Sequence, residues 1–240
     1  MRNSILQDIL KAKKQGKKLL AVLLDPDKLR LSKVEKIIFK INNSSIDYIF
    51  IGGSNVAKGL TEKCVLKIKQ HTEIPVILFP GDYSQLTPQV DAILFLALIS
   101  GRNPEYLIEQ QIKSIPFLEK NKVECIPTGY ILIDGGTTTA TQKVSNTNPI
   151  LQEEVQLIEH TALAGQYLGK QLIYLEAGSG AKKPISDAII KKVSQTCTIP
   201  IIVGGGLRSK EMIEKAFDHG ADLVVIGTIL EEDKNFLQNV

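Results

Sequence analysis

Five short stretches of this sequence carry groups able to do chemistry on anions. Asp25 stands directly after the apolar run Leu19–Leu24, and Pro26 fixes the backbone just beyond it. Ser54 follows Gly52 and Gly53 at the end of a second apolar run. Glu176 closes a third and leads into Gly178, Ser179 and Gly180, while Gly204-Gly205-Gly206 and Gly227-Thr228 close two more. A carboxylate and a hydroxyl are hard oxygen donors, and Mg2+ takes only one or two such protein oxygens beside water and substrate phosphates. Adjacent glycines allow close backbone approach and curl N–H groups around an anion. Asp25 alone also reads as the opening of a turn, and Gly-Gly-Ser as plain turn chemistry. The glycine stretches taken together point to a phosphorylated small molecule.

Those residues need elements to position them. Eight short β-branched runs are expected as strands: Leu19–Leu24, Tyr48–Ile51, Val76–Phe79, Ala92–Leu98, Glu124–Ile131, Leu172–Leu175, Ile201–Val203 and Leu223–Ile226. Most are continuously apolar, as parallel strands covered on both faces should be. Helical patterns lie between them. Ser4–Gln15 stops at Gly16, and Ser32–Lys40 opens on a Ser cap with Glu35 three positions on. Ala57–His71 and Pro104–Glu119 follow, then Asn148–Leu168, whose Asn148-Pro149 reads as cap and first turn. Ile185–Thr196 and Ser209–His219 complete the set. Gly81–Gln89 is too short and too rich in Gly and Pro for a helix, so one connection is expected to be degenerate. Thr137–Asn146 reads as a polar loop after the fifth strand, either an active-site loop or a plain solvated one.

This alternation over residues 1–240 argues for one domain, a TIM (β/α)8 barrel, with a doubly wound open sheet as the alternative. In such barrels chemistry sits where strands end, and a phosphate commonly binds at the loops after strands seven and eight beside a helix N-terminus.

Composition narrows the chemistry further. A net charge of +3 in 240 residues is no nucleic-acid footprint, and the absence of Trp with 5% aromatics leaves few stacking platforms. Apolar runs such as Ile93–Ile99 fall far short of the roughly 20 residues that span a bilayer. The N-terminus, with Arg2 and Asp8, shows no secretory h-region. Cys64, Cys125 and Cys197 lack metal-ligand spacing and read as reduced thiols of a cytoplasmic protein. His71, His160 and His219 are isolated, so a Ser-His-Asp or Cys-His nucleophile is not supported.

The string Tyr174-Leu175-Glu176-Ala177-Gly178-Ser179-Gly180, with Gly204–Gly206 and Gly227-Thr228, resembles the geranylgeranylglyceryl phosphate synthase family, which includes the PcrB-like enzymes. Leu24–Lys28, Ile49–Ser54, Ser100–Ile108 and Pro127–Tyr130 match in order, so the likeness spans the chain. The resemblance implies a Mg2+-dependent prenyltransferase that joins sn-glycerol 1-phosphate to a polyprenyl diphosphate. It implies that Asp25 and Ser54 hold Mg2+. It assigns glycerol phosphate to Tyr174, Leu175, Glu176, Ala177, Gly178, Ser179 and Gly180, with Gly205, Gly206, Gly227 and Thr228. It also implies a homo-oligomer, dimers and hexamers both occurring in the family. Leu23 stands where the smaller bacterial enzymes carry Lys, so the chain is more similar to the second, mostly archaeal group, which implies a geranylgeranyl donor.

In this reading Glu176 is expected to take the proton of the acceptor hydroxyl, with Tyr174 orienting it; a salt bridge for Glu176 and interior packing for Tyr174 are the structural alternatives. Ala92–Leu98 and Tyr106–Ile108 are candidates for the prenyl groove, or simply core. Lys11, Lys13, Lys14, Lys17 and Lys18 would suit transient contact with an anionic membrane surface, or a solvated helix face. Two rival functions share the fold: another phosphate-binding barrel, of the sugar-phosphate isomerase or thiamine phosphate synthase type, and a non-catalytic ligand-binding barrel.

Overall fold

The computed structural model describes residues 4–227 and Phe236. The strands are β1 (Leu19–Leu24), β2 (Tyr48–Ile51), β3 (Val76–Leu78), β4 (Ala92–Leu98), β5 (Glu124–Leu132), β6 (Leu172–Glu176), β7 (Ile201–Gly204) and β8 (Leu223–Ile226). Each pairs in parallel with the next, and β8 closes on β1, so the sheet is a closed barrel and not the open doubly wound alternative. Strands six and seven run one residue further than the apolar pattern, because Glu176 pairs across to Gly204 at the tips.

Strand alternation divides the interior in two. Ala21, Tyr48, Phe50, Leu94, Tyr174 and Ile202 fill the lumen, whose bottom is stoppered by Ile5, Leu6 and Ile9 of helix α1 (Ile5–Lys14). Leu20, Val22, Leu175 and Val203 face outward and pack under the surrounding helices. These are α2 (Val34–Asn42), α3 (Leu60–Lys69), α4 (Gln110–Asn121), α5 (Ala140–Ser145), α6 (Val155–Tyr167), α7 (Asp187–Thr196) and α8 (Lys210–Asp218). Ser4 caps α1 and Ser209 caps α8.

Several helix starts differ from expectation. Ser32 caps nothing: Leu31–Lys33 forms a 3-10 turn, so α2 begins at Val34 and Glu35 has no capping-box partner. The left-handed Gly59 (φ +76°) delays α3 to Leu60. Pro104 leads into a π-helical turn, Glu105–Glu109, before α4. Asn148-Pro149 starts no helix, because Ile150 is drawn alongside the end of β5: its N–H donates to Leu132 O (3.0 Å) and its carbonyl accepts from Asp134 N (2.9 Å). The Thr137–Asn146 loop folds into α5. The β3–β4 connection is degenerate as expected, holding only the 3-10 turn Tyr83–Gln85.

Candidate functional site

The short β3 and its missing helix open the barrel wall. β3 pairs with β4 only at Ala92 and Ile93, so β4 continues past it without a neighbour on that side. The Leu96 carbonyl is instead met by Gln111 Nε2 of α4. The gap is an apolar cleft lined by Phe79, Leu94, Leu96, Leu98, Tyr106 and Ser114, among others, with Ser54, Tyr130 and Thr141 at its inner end. The candidate segments Ala92–Leu98 and Tyr106–Ile108 thus contribute wall residues.

Ser54 lines the cleft, and Asp25 lies against the neighbouring Gly53. A Cβ on Gly53 would lie 2.9 Å from Asp25 Oδ1, so the glycine is what lets the β2 tip close on the carboxylate. Asp25 Oδ1 also accepts the Asp27 N–H (3.0 Å). The β2 turn is held from below by buried Gln85, whose Nε2 donates to Gly53 O (2.8 Å) while its Oε1 accepts from Gly81 N (3.2 Å). No cluster of three or more His, Cys, Asp or Glu side chains able to hold a metal occurs among the described residues. One carboxylate and one hydroxyl in a cradle that a Cβ would fill fit a hard cation that completes its shell with water and phosphate oxygens.

Glu176 lies in the lumen at the tip of β6, two residues beyond Tyr174 and on the same face. Burial pushes its carboxyl up from the ordinary 4.5 to about 7, against the opposing pull of the Gly178 N–H, which donates to Oε1 (2.6 Å), and of Tyr174. No salt bridge reaches it among the described residues, so the structural alternative for Glu176 is not realised. A Cβ on Gly204 would fall 2.6 Å from Tyr174 Oη and 2.8 Å from Glu176 Oε2, which puts the two oxygens around one backbone position. No hydrogen bond joins them, and the buried Tyr174 hydroxyl has no partner. Tyr174 is thus interior packing by its ring and an unspent donor by its hydroxyl. Burial and the Glu176 charge keep that hydroxyl protonated.

The glycine turns meet beside Glu176. Gly205 (φ +86°) and Gly206 (φ +72°) are consecutive left-handed residues, and a Cβ at Gly205 would sit 2.6 Å from both Glu176 Oε1 and Gly178 N. No side chain fits there, and such a turn is the kind that cradles anions. Gly178 lies under Thr139, whereas Ser179 and Gly180 are exposed. Gly227 lies next to Leu23 at the β8 tip. Leu175 and Ala177 turn their side chains into the outer core, and the Ala177 amide is used on Gly204 O (3.0 Å). Thr228 lies outside the described residues. The α8 N-terminus offers less to an anion than expected, because Ser209 Oγ already accepts the Met212 N–H (3.3 Å).

Phe79, Tyr130 and Tyr174 join the two poles. Their ring centroids are 5.3–5.8 Å apart, Phe79 and Tyr130 lining the cleft and Tyr174 reaching Glu176. Neither this cluster nor Thr141, whose Oγ1 lies 3.5 Å from Ser54 Oγ, stands out in the sequence. The only signal is the Thr-rich loop after β5.

The expected membrane patch lies elsewhere. Lys13 pairs with Asp222 (2.8 Å), Lys17 with Asp47 (2.7 Å), and Lys18 donates to Ala221 O (2.7 Å), all at the end of the barrel opposite the site. No helix of the described residues is long and apolar enough to cross a membrane.

The chain is similar in sequence and fold to known proteins. Residues 8–240 match the PcrB family. The chain is 52% identical to a geranylgeranylglyceryl phosphate synthase of Flavobacterium johnsoniae, covering 98% of this chain and 97% of that one. It is 37% identical to the enzyme of the same name from the archaeon Korarchaeum cryptofilum, covering 95% and 93%. The crystal structure of (S)-3-O-geranylgeranylglyceryl phosphate synthase from Thermoplasma acidophilum, in complex with its substrate sn-glycerol-1-phosphate, superposes with a TM-score of 0.92 at 32% identity, covering 99% and 95%.

Proposed function

The chain belongs to the PcrB family of prenyltransferases, and from that premise we propose that it transfers the geranylgeranyl group of its diphosphate to sn-glycerol 1-phosphate with the help of Mg2+. The observation that carries the reading is that Phe79 and Tyr130, which line the apolar cleft, pack directly on Tyr174, whose hydroxyl lies beside Glu176. A long hydrocarbon lies in the cleft, and a phosphorylated alcohol lies against the glycine turn. The allylic carbon then meets the acceptor hydroxyl above Tyr174.

Asp25 and Ser54 are the residues that would hold Mg2+, which supplies charge neutralisation for the departing diphosphate. Each remaining step falls to the chain itself. The turns at Gly178–Gly180 and Gly205–Gly206 hold the acceptor phosphate, together with Gly227 and the sequence-assigned Thr228. Glu176 Oε2 accepts the hydrogen of the acceptor hydroxyl and takes its proton as the C–O bond forms; a carboxyl held at about 7 is matched to that task near neutral pH. Tyr174 Oη donates to an oxygen of the bound alcohol and fixes its angle. The apolar walls keep water from the allylic centre once diphosphate leaves.

The exposed stripe Ile108, Ile112 and Ile115 on the outer face of the π-turn and α4 supports self-association, which light scattering after gel filtration would read. The deciding experiment incubates the chain with Mg2+ or EDTA, prenyl diphosphates of several lengths and both glycerol phosphate enantiomers. An ether product that is largest with the geranylgeranyl donor and the sn-1 enantiomer, and lost in EDTA, is expected. No ether product with any donor would refute the reading.

A further inference from the structure

Thr141 stands in the cleft lining between Ser54 and Tyr130. It sits in the first turn of α5, which is pinned over the barrel mouth from the β4 side. Asn103 Nδ2 donates to Ser145 O (2.8 Å), Tyr106 Oη donates to Val144 O (3.1 Å), and Thr139 Oγ1 caps the helix by accepting from Gln142 N (3.0 Å). So held, Thr141 Oγ1 lies 3.5 Å from Ser54 Oγ, a residue 87 positions away. Tyr130 lines the same cleft, with its hydroxyl within reach of the Thr141 side chain.

The direction of these bonds follows from counting hydrogens. A hydroxyl has one hydrogen to give and lone pairs to receive with. A serine oxygen that offers a lone pair to a cation turns its own hydrogen away, and Thr141 Oγ1 is the neighbouring acceptor. Thr141 then has its single hydrogen left for Tyr130 Oη. Tyr130, having accepted, has its hydrogen left for a third oxygen. Each hydroxyl donates once and accepts once, and no bond to hydrogen is broken.

We infer that Thr141 is a positioning residue, the middle member of a one-way hydroxyl relay from Ser54 through Thr141 to Tyr130 that aims the Tyr130 O–H at bound substrate when a cation is held at Ser54. The inference rests on the proposed assignment of Mg2+ to Asp25 and Ser54. The placement of Tyr130 suits the last step: it lines the cleft and packs edge-on against Tyr174, at 5.4 Å between centroids, on the route to Glu176. Burial and the Glu176 charge hold the Tyr130 hydroxyl in its protonated, donating form. Hydrogen bonds in such a chain polarise one another, so a cation at its head strengthens the donor at its tail.

The test uses the full chain, with Mn2+ and inorganic pyrophosphate as the probe and electron paramagnetic resonance as the readout of Mn2+ affinity. Thr141→Val keeps the shape and removes the hydroxyl; Thr141→Ser keeps the hydroxyl. The expected result is that Thr141→Val weakens Mn2+ binding and lowers kcat, each about tenfold, with KM for glycerol phosphate unchanged, while Thr141→Ser restores both. Tyr130→Phe lowers kcat by a similar factor without changing Mn2+ affinity, and adding it to Thr141→Val costs nothing further. Wild-type Mn2+ affinity in Thr141→Val, no rescue by Thr141→Ser, or additive losses in the double variant would each overturn the relay. The Mn2+ arm contains no prenyl donor. A wild-type chain that binds Mn2+ but forms no ether therefore refutes the reaction while the Mn2+ arm still decides the relay. A wild-type chain that holds no Mn2+ overturns the relay as well.

Discussion

Asp47, Asp91 and Asp222 stand at the N-terminal ends of strands, Glu176 at a C-terminal end, and their carboxylates meet opposite surroundings. Asp47 accepts the Leu20 N–H (3.0 Å) and pairs with Lys17; Asp91 accepts the Val76 N–H (2.8 Å) and pairs with Lys69; Asp222 accepts the Ile201 N–H (2.8 Å) and pairs with Lys13. Each ties its own strand to the preceding one and balances its charge. Glu124 serves the same end by accepting the Ile5 and Leu6 amides, which seats the α1 stopper (2.8 and 3.0 Å). Glu176 is buried with a single N–H and no cation, beside a tyrosine hydroxyl that has no partner. The lower end uses its acids to hold the barrel shut, whereas the upper end keeps an acid in a setting that disfavours its charge. That division is the one expected of this fold, with stability at the bottom and chemistry at the top.

The largest effect that would sharpen this contrast is at Asp25. Asp25→Asn removes the only carboxylate of the proposed cation site, and prenyl transfer should fall by about a thousandfold, a few kcal/mol of transition-state stabilisation. Calorimetry should find glycerol phosphate affinity unchanged. Full transfer activity with Mg2+ present would remove Asp25 from the site.

Glu176→Gln comes next and has two readouts. Loss of the base should lower kcat by about a hundredfold and abolish the acid limb of the rate profile, which in the wild type falls as pH drops through about 7. Stability should move the other way. With the folded pKa raised from 4.5 to about 7, the folded chain binds this proton more tightly than the unfolded one. The contribution is therefore complete below pH 4.5 and is lost as pH rises to about 7. The cost of carrying the charge above pH 7 is then roughly 3 kcal/mol at 1.36 kcal/mol per unit. Glu176→Gln should raise the denaturation midpoint at pH 8 and leave it nearly unchanged at pH 4. A variant that is both slower and less stable at pH 8 would break the contrast.

The eight strands are legible in the sequence because parallel strands buried on both faces leave continuous apolar runs. Asp25, Ser54 and Glu176 are legible because each ends such a run. What the local pattern misses depends on distant partners. Asn148-Pro149 has the chemistry of a helix start, yet pairing of Ile150 with Ile133 overrides it. Thr141 looks like any residue of a polar loop until Ser54, 87 positions away, stands beside it. The stitching aspartates did leave a signal: strands β2, β4 and β8 are each immediately preceded by Asp, at 47, 91 and 222.

Asp222→Asn tests the lower end. The amide keeps the shape but weakens the charge-assisted bonds to Lys13 and to the Ile201 N–H, both at 2.8 Å. Hydrogen bonds to charged groups contribute about 1.5–3 kcal/mol, so urea denaturation should show a loss of about 2 kcal/mol with the slope unchanged. Because the site is at the other end of the lumen, kcat and KM should stay at wild-type values. A drop in kcat at a temperature where the variant is fully folded would show that the two ends are coupled.

Lys17→Gln is the smallest expected effect and separates two readings of the basic stretch. Lys17 is 60% exposed and its partner Asp47 keeps the Leu20 N–H when the lysine is gone. An exposed ion pair contributes under about 1 kcal/mol, so the denaturation midpoint should barely move. The same variant, combined with Lys11→Gln and Lys14→Gln, removes most of the charge that would draw this end to an anionic bilayer, at about 1 kcal/mol per lysine near the surface. In flotation with phosphatidylserine vesicles the triple variant should behave as the wild type does, because the apolar cleft that a lipid product must leave by opens through the barrel wall and is lined by none of these lysines. A clear loss of flotation would mean that the lower end meets the membrane after all, and that its lysines do more than hold strands together.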